Sequence, residues 1–172
     1  MAIEIIISLL TEKFGADFKQ EPNTSPVAIK VPADKLVAVC QELYTNPQTY
    51  FDMLSCLTGL DNGPQAGTME VIYNLYSIPF NLHLMVKVTI PREDPRVDSL
   101  SSIWRTADWH EREAFDMYGI IFNNHPDLRR ILLPADWEGY PLRKDYKQQE
   151  YYRNIKVEYE ASPNDSPPKL TP

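Results

Sequence analysis

Helical and strand-like spacings of apolar residues alternate along this chain, and they predict its elements. Residues 3–14 are dense in Ile and Leu and predict a first helix, and Pro26-Val27-Ala28-Ile29-Lys30-Val31 predicts a short strand. Pro32-Ala33-Asp34 introduces 35–44, where Leu36, Val39, Cys40 and Leu43 keep the i, i+3, i+4, i+7 spacing of one buried helical face. That spacing places Cys40 in the core. Three β-like runs follow at 50–60, 68–77 and 82–90, separated by the turn-forming Asp61-Asn62-Gly63-Pro64 and Pro79-Phe80-Asn81. Turns this short pair neighbouring runs antiparallel. The order predicts an α+β domain over residues 1–146, a mostly antiparallel sheet with helices packed on one face. Apolar periodicity then disappears. Residues 147–172, rich in Gln, Glu, Asn and Tyr with a Pro-rich end, are expected to be an extended tail, disordered alone, that wraps a partner.

A third helical stretch mixes charge into its pattern. Asp108 is placed to cap a helix whose Glu111 reaches back to the cap, and Gly119 is placed to end it in the left-handed conformation. On a helical wheel Ala107, Ala114, Phe115, Met117 and Tyr118 share an apolar arc, with Arg112, Glu113 and Asp116 opposite. Glu111 falls inside the apolar arc and His110 at its edge. A buried carboxylate needs a partner. Arg129, Arg130 and Arg143, whose forked guanidinium fits a carboxylate in two places, are expected to complete a charge network.

Composition narrows the setting. At 172 residues and 43% hydrophobic, the chain suits one domain with a real core and some extension beyond it. A net charge of −7 and a pI near 4.9 leave no basic footprint for nucleic acid or an anionic membrane, so proteins are the expected partners. Cys40 and Cys56 are too few for a disulfide scaffold, a four-cysteine zinc site or an iron–sulfur cluster supplied by this chain alone, and a reducing compartment fits best. No apolar run approaches the roughly 20 residues of a membrane span. The apolar start lacks the basic region of a signal peptide and reads as a helix, so any membrane association is expected to be indirect.

Candidate chemistry is sparse. His110-Glu111-Arg112-Glu113 matches the first half of a zinc-protease motif, but Ala114 stands where the second His is needed. Glu111, Glu113, Asp116 and His125 could ligate a metal or act as acid and base in an independent metal-dependent hydrolase. The nearby arginines favour structural salt bridges instead, so no catalytic, cofactor-binding or metal residue is assigned. His125-Pro126 is expected to fix a turn and His83 to sit in the sheet. Tyr146, Tyr151, Tyr152 and Tyr159, aromatic on a polar strap, suit interface anchors.

Three blocks carry a resemblance: Glu111-Arg112-Glu113-Ala114-Phe115-Asp116-Met117-Tyr118-Gly119, His125-Pro126-Asp127-Leu128-Arg129-Arg130-Ile131-Leu132, and Asp136-Trp137-Glu138-Gly139-Tyr140-Pro141-Leu142-Arg143-Lys144-Asp145-Tyr146. With Pro91-Arg92-Glu93-Asp94-Pro95-Arg96-Val97 and Ile103-Trp104-Arg105-Thr106-Ala107-Asp108-Trp109 upstream, the region 91–146 resembles the C-subunit of NADH-quinone oxidoreductase, the bacterial relative of the 30-kilodalton subunit of mitochondrial complex I. The resemblance implies a peripheral-arm subunit of a proton-translocating enzyme, not catalytic alone. Its implied role is to brace a separate quinone-site subunit, the D-subunit, for electron transfer from NADH to quinone. It implies a place on the cytoplasmic side of the bacterial inner membrane, reached through the other peripheral-arm subunits. It also implies no cofactor in this chain, with NADH, flavin, iron–sulfur clusters and quinone held elsewhere in the complex. Glu111, Arg112, Glu113, Asp116, Met117, Gly119, His125, Pro126, Arg129, Arg130, Pro141, Leu142, Arg143, Lys144, Asp145 and Tyr146 are then the family motif and the expected subunit interface. The resemblance extends to equivalent subunits of the ferredoxin-accepting cyanobacterial complex and of membrane-bound hydrogenases.

Overall fold

The three β-like runs form a meander. β3 (Met53–Asp61), β4 (Thr68–Ser77) and β5 (Leu82–Pro91) pair antiparallel, β4 and β5 in unbroken register from Thr68↔Pro91 to Ser77↔Leu82. The computed structural model, which describes residues 3–15 and 18–157, adds β1 (Lys19–Glu21) and β2 (Ala28–Lys30) beside β5, giving the order β1-β2-β5-β4-β3. β2 runs parallel to β5 and antiparallel to β1, and it is shorter than the run of apolar residues suggests. β1, reading Lys-Gln-Glu, carries no apolar alternation and so leaves no trace in the pattern.

One face of the sheet is covered, as expected for this α+β class. Met69, Val71, Tyr73 and Leu75 of β4 and Leu84, Val86, Val88 and Ile90 of β5 point to the same side. There they meet Ile6 and Leu10 of α1 (Ile3–Phe14) and Leu36, Val39, Cys40 and Leu43 of α2 (Leu36–Thr45). All four α2 positions that the spacing singles out are buried, and each of the three aliphatic ones contributes on the order of 1.5–3 kcal/mol of apolar burial. A 3₁₀ turn, Ala33–Lys35, leads into α2. Among the described residues no helix is long and apolar enough to cross a membrane.

α3 (Ala107–Tyr118) lies on β3 and is framed by a small parallel pair, β6 (Arg96–Asp98) before it and β7 (Ile121–Asn123) after it. From there residues 124–147 run back over α3 with almost no regular structure. Of the expected tail, β8 (Tyr151–Tyr152) and β9 (Ile155–Lys156) form a two-stranded hairpin. Tyr152 of that hairpin packs 5.2 Å from Trp137 between ring centroids and donates to Asp136 at 2.8 Å, so it faces this chain. Residues 158–172 of the tail, Tyr159 included, lie outside the described residues.

Candidate functional site

α3 begins differently from the capping box that the sequence predicts. Its N-cap is Thr106, which makes no side-chain cap bond and instead donates its hydroxyl to the Leu54 carbonyl of β3 at 3.1 Å. Turns at 100–104 feed straight into the helix through Ala107 N to Trp104 O, so Asp108 already lies inside the first turn. Glu111 therefore turns inward rather than back. It is fully buried, taking the Ser99 hydroxyl at 2.6 Å and the Leu100 backbone N–H at 2.7 Å, and so it caps the β6–α3 connection. None of Arg129, Arg130 or Arg143 reaches it, because each is used elsewhere. Without a cation in contact, burial pushes the Glu111 carboxyl up to about 7 despite its two hydrogen bonds. The buried Tyr73 hydroxyl, which has no hydrogen-bond partner among the described residues, is pushed well up by burial and by the charge of Glu111.

The apolar arc also needs correcting. Phe115, Met117 and Tyr118 are only half-buried, while Arg112 and Asp116 on the supposedly solvated side are buried. The wheel assumes one covered face, but α3 is sandwiched between the sheet and the 124–147 loop. Asp116 is the clasp of that sandwich. Its Oδ2 accepts the consecutive backbone N–H groups of Ile131, Leu132 and Leu133 at 3.0, 2.7 and 3.0 Å, and its Oδ1 accepts Arg130 Nη1 at 2.9 Å. Burial alone would raise this carboxyl, yet the three N–H groups and the guanidinium outweigh it and hold the group below its ordinary range.

A second buried carboxylate fastens the far end of the loop. Asp61, at the inward end of β3, pairs with Arg92 at 2.8 Å and accepts the backbone N–H of Gly63 at 2.9 Å and of Lys144 at 2.8 Å. The Arg92 hydrogen bond is the main reason its carboxyl lies far below the ordinary range. Arg92 also bridges to Asp145. Between the two clasps, Leu142 N donates to Met117 O at 3.1 Å and Arg143 Nε donates to Tyr118 O at 2.7 Å. Arg143 and Arg130 both pack on the Tyr140 ring. Gly119 ends α3 at φ 74°, as expected, and has a second reason to be Gly: a Cβ there would lie 2.5 Å from Tyr140. Gly59 of β3 likewise admits Tyr118, 2.8 Å from where its Cβ would stand.

The motif residues are thus gathered on one segment but into separate small sites. His125 is buried at its side chain and accepts Asp127 N at Nδ1, so Nε2 carries the proton and donates to Asp108 O at 3.0 Å, with Glu111 Oε2 3.9 Å away. Glu113, Pro126, Leu142 and Lys144 are exposed, and Pro141 is half-buried. Met117 and Leu142 border a groove of about 200 Å³ shared with Cys56 and Glu113. Tyr146 accepts Trp137 Nε1 at 3.1 Å. The acids that suggest a hydrolase do not converge: Glu111 adjoins His125, Asp116 faces Arg130, and Glu113 points to solvent. Among the described residues no three His, Cys, Asp or Glu side chains are grouped to hold a metal. Turn chemistry alone does not mark Asp61 as a clasp. The strand pattern could have, since Leu57 and Gly59 alternate inward and the next position in that alternation is Asp61.

Fold and site together define an α+β domain whose C-terminal loop is clasped by two buried carboxylates. Residues 29–152 match the family described as the respiratory-chain NADH dehydrogenase 30 kDa subunit, and the chain belongs to that family. It is 46% identical over 160 residues to the NADH-quinone oxidoreductase C-subunit of Chloroherpeton thalassium, covering 91% of this chain and 65% of that one, just under two thirds of its length. It is 42% identical to the corresponding C-subunit of Chlorobium phaeobacteroides over 88% of this chain and 92% of that one. Among solved structures, a trypsin-resistant fragment of Nqo5 superposes with a TM-score of 0.60 at 28% identity, over 74% of this chain and all of that one. A chain of the membrane-bound sulfane sulfur reductase, an archaeal respiratory membrane complex, superposes with a TM-score of 0.70 at 26% identity over 84% and 85%.

Proposed function

We propose that this chain is a cofactor-free, non-catalytic peripheral-arm subunit of a proton-translocating NADH:quinone oxidoreductase, bracing the quinone-site subunit for electron transfer from NADH to quinone. The observation that carries the reading is the clasped loop. Asp61 and Asp116 fix 20-odd irregular residues against α3, a device suited to presenting a rigid surface. On that surface Trp109, Leu132 and Leu142 are exposed, the apolar anchors a protein partner would cover. NADH, flavin, iron–sulfur clusters and quinone would be held by other subunits. The chain would sit on the cytoplasmic side of the bacterial inner membrane, attached through the complex.

The test is mass spectrometry of what co-purifies with the N-terminally tagged chain from gently solubilised native membranes. The quinone-site subunit together with flavin- and cluster-bearing NADH subunits supports the reading. No membrane partner at all overturns it. Charge reversal at Arg129 or Arg143 is expected to reduce assembly of the peripheral arm, and normal assembly with normal turnover would sink the brace role. The likeness to a chain of the sulfane sulfur reductase favours one second reading, the equivalent position in a relative with another electron donor, such as a ferredoxin-dependent complex or a membrane-bound hydrogenase. Recovery of the quinone-site subunit without the NADH subunits would select it.

A further inference from the structure

The arginines around α3 divide by what neutralises them. Arg130 pairs with Asp116, Arg129 with Asp127, and Arg92 with Asp61 and Asp145. Arg143 pairs with no acid among the described residues, but it is half-buried, so water can hydrate its charge. Arg112 is different. Only 6% of it is exposed, its Nε donates to the Arg129 carbonyl at 3.3 Å, and its guanidinium lies 4.9 Å from the Trp109 ring centre. Among the described residues, no carboxylate stands within ion-pair distance of it. A guanidinium buried without a counter-charge in contact is unfavourable in the chain by itself, and the ring that lies on it is 62% exposed.

We propose that Trp109 and Arg112 form a docking anchor for a carboxylate, an Asp or Glu side chain presented by a neighbouring protein subunit. This rests on the reading above that the chain is part of a larger complex. Arg112 offers its terminal nitrogens as a fork already held in place by Nε and by the ring, so little side-chain freedom is lost on pairing. Trp109 covers the pair and excludes water from it. The surroundings select a single negative charge over a phosphate-rich surface. Glu113 is exposed on the next residue, and Asp127 is close enough that the Arg112 charge helps hold its carboxyl down, after the Arg129 hydrogen bond. A polyanion would meet both acids, whereas one carboxylate can slip between them.

The experiment uses the full tagged chain in its native cell, with a photo-crosslinking amino acid in place of Glu113. The expected crosslink joins a peptide containing Asp or Glu from a subunit of the membrane complex. Arg112→Gln is expected to lower recovery of that subunit about tenfold or more, and Trp109→Ala several-fold. Combining Arg112→Glu with Asp or Glu→Arg in the crosslinked peptide is expected to restore recovery. The isolated Arg112→Gln chain is expected to melt no lower than the parent, because it loses an unpaired buried charge. Unchanged recovery of the complex by Arg112→Gln overturns the anchor while leaving the proposed function standing. So do crosslinks to lipid or nucleotide alone, or a melting temperature of the isolated Arg112→Gln chain clearly below the parent's. If the unsubstituted chain recovers no membrane-complex subunit, the proposed function fails and takes the anchor with it.

Discussion

The sheet with its two covering helices and the loop that closes over α3 are held by different physics. In the first region, backbone groups pair with one another along strands, and apolar side chains such as Leu43, Tyr73 and Val86 fill the space between layers. In the second, residues 124–147 have almost no ladder, so backbone N–H groups at Ile131, Leu132, Leu133 and Lys144 are satisfied by carboxylates. A sheet distributes its stability over many contacts. The loop concentrates it in Asp61 and Asp116, so the same kind of substitution should act globally in one region and locally in the other.

The largest expected effect lies in the sheet region. Leu43→Ala opens a cavity among α2 and the sheet and is expected to destabilise the whole chain by about 3–4 kcal/mol, read as a shifted denaturant midpoint by circular dichroism. Asp116→Ala is expected to remove about 3 kcal/mol, since it strands three N–H groups and the Arg130 charge. Its signature differs. Amide exchange should accelerate at 131–133 while the β4–β5 amides stay protected. Uniform acceleration across both would show that loop and sheet form one cooperative unit and would erase the contrast.

What is legible in the sequence follows the same division. Leu36, Val39, Cys40 and Leu43 announce α2 because apolar burial leaves a period, and the strand runs 68–77 and 82–90 fall within a residue of β4 and β5. Charge leaves no such period. The arginines are recognisable as partners for buried acids, but the pattern assigns Glu111 to them when it belongs to Ser99 and Leu100, and it puts Asp116 on a solvated face. The errors have different causes: Glu111 is bonded by the connection just before α3, which a helical wheel leaves out, and Asp116 is covered by a loop returning some fifteen residues later, which a wheel with one buried face cannot reveal. β1 escapes notice for a related reason, its pairing being made by backbone groups with no apolar residues to mark it.

Glu111 sharpens the comparison because it is a buried carboxylate without a clasp's cation. In the folded chain it keeps its proton up to about 7, whereas the unfolded chain releases it near the ordinary value of 4.5. Between those values the folded state binds more protons, so this group makes stability fall as pH rises through that window and adds no further slope above it. Asp61 and Asp116 act oppositely, their contribution being present above the ordinary carboxylate range and lost as pH falls below it. Glu111→Gln, which mimics the protonated acid toward Ser99 and Leu100, is expected to flatten the profile between about pH 5 and 7. At about pH 8 it is expected to stabilise by up to about 3 kcal/mol, judged from urea midpoints across that range. A parent profile that rises steadily from about pH 5 to 8 would mean that the carboxyl is ionised throughout.

The smallest expected effect comes from the one loop arginine that clasps nothing. Arg129 has a side chain 70% exposed and pairs at 2.7 Å with Asp127, which is itself more than half exposed, only two residues away. Such a pair gains little in water and loses side-chain freedom. Its backbone carbonyl, not its side chain, holds Arg112, and that carbonyl survives truncation. Arg129→Ala is therefore expected to melt within about 2 °C of the parent in the isolated chain and to leave amide exchange at 131–133 unchanged, where Arg130→Ala, which uncouples Asp116, clearly accelerates exchange there. Equal acceleration for the two neighbours would mean that the loop is held by its overall charge and not by the Asp116 clasp. Acceleration confined to Arg130 would fix the clasp to one carboxylate, and it would leave Arg129 as a charge whose use lies outside the fold of this chain.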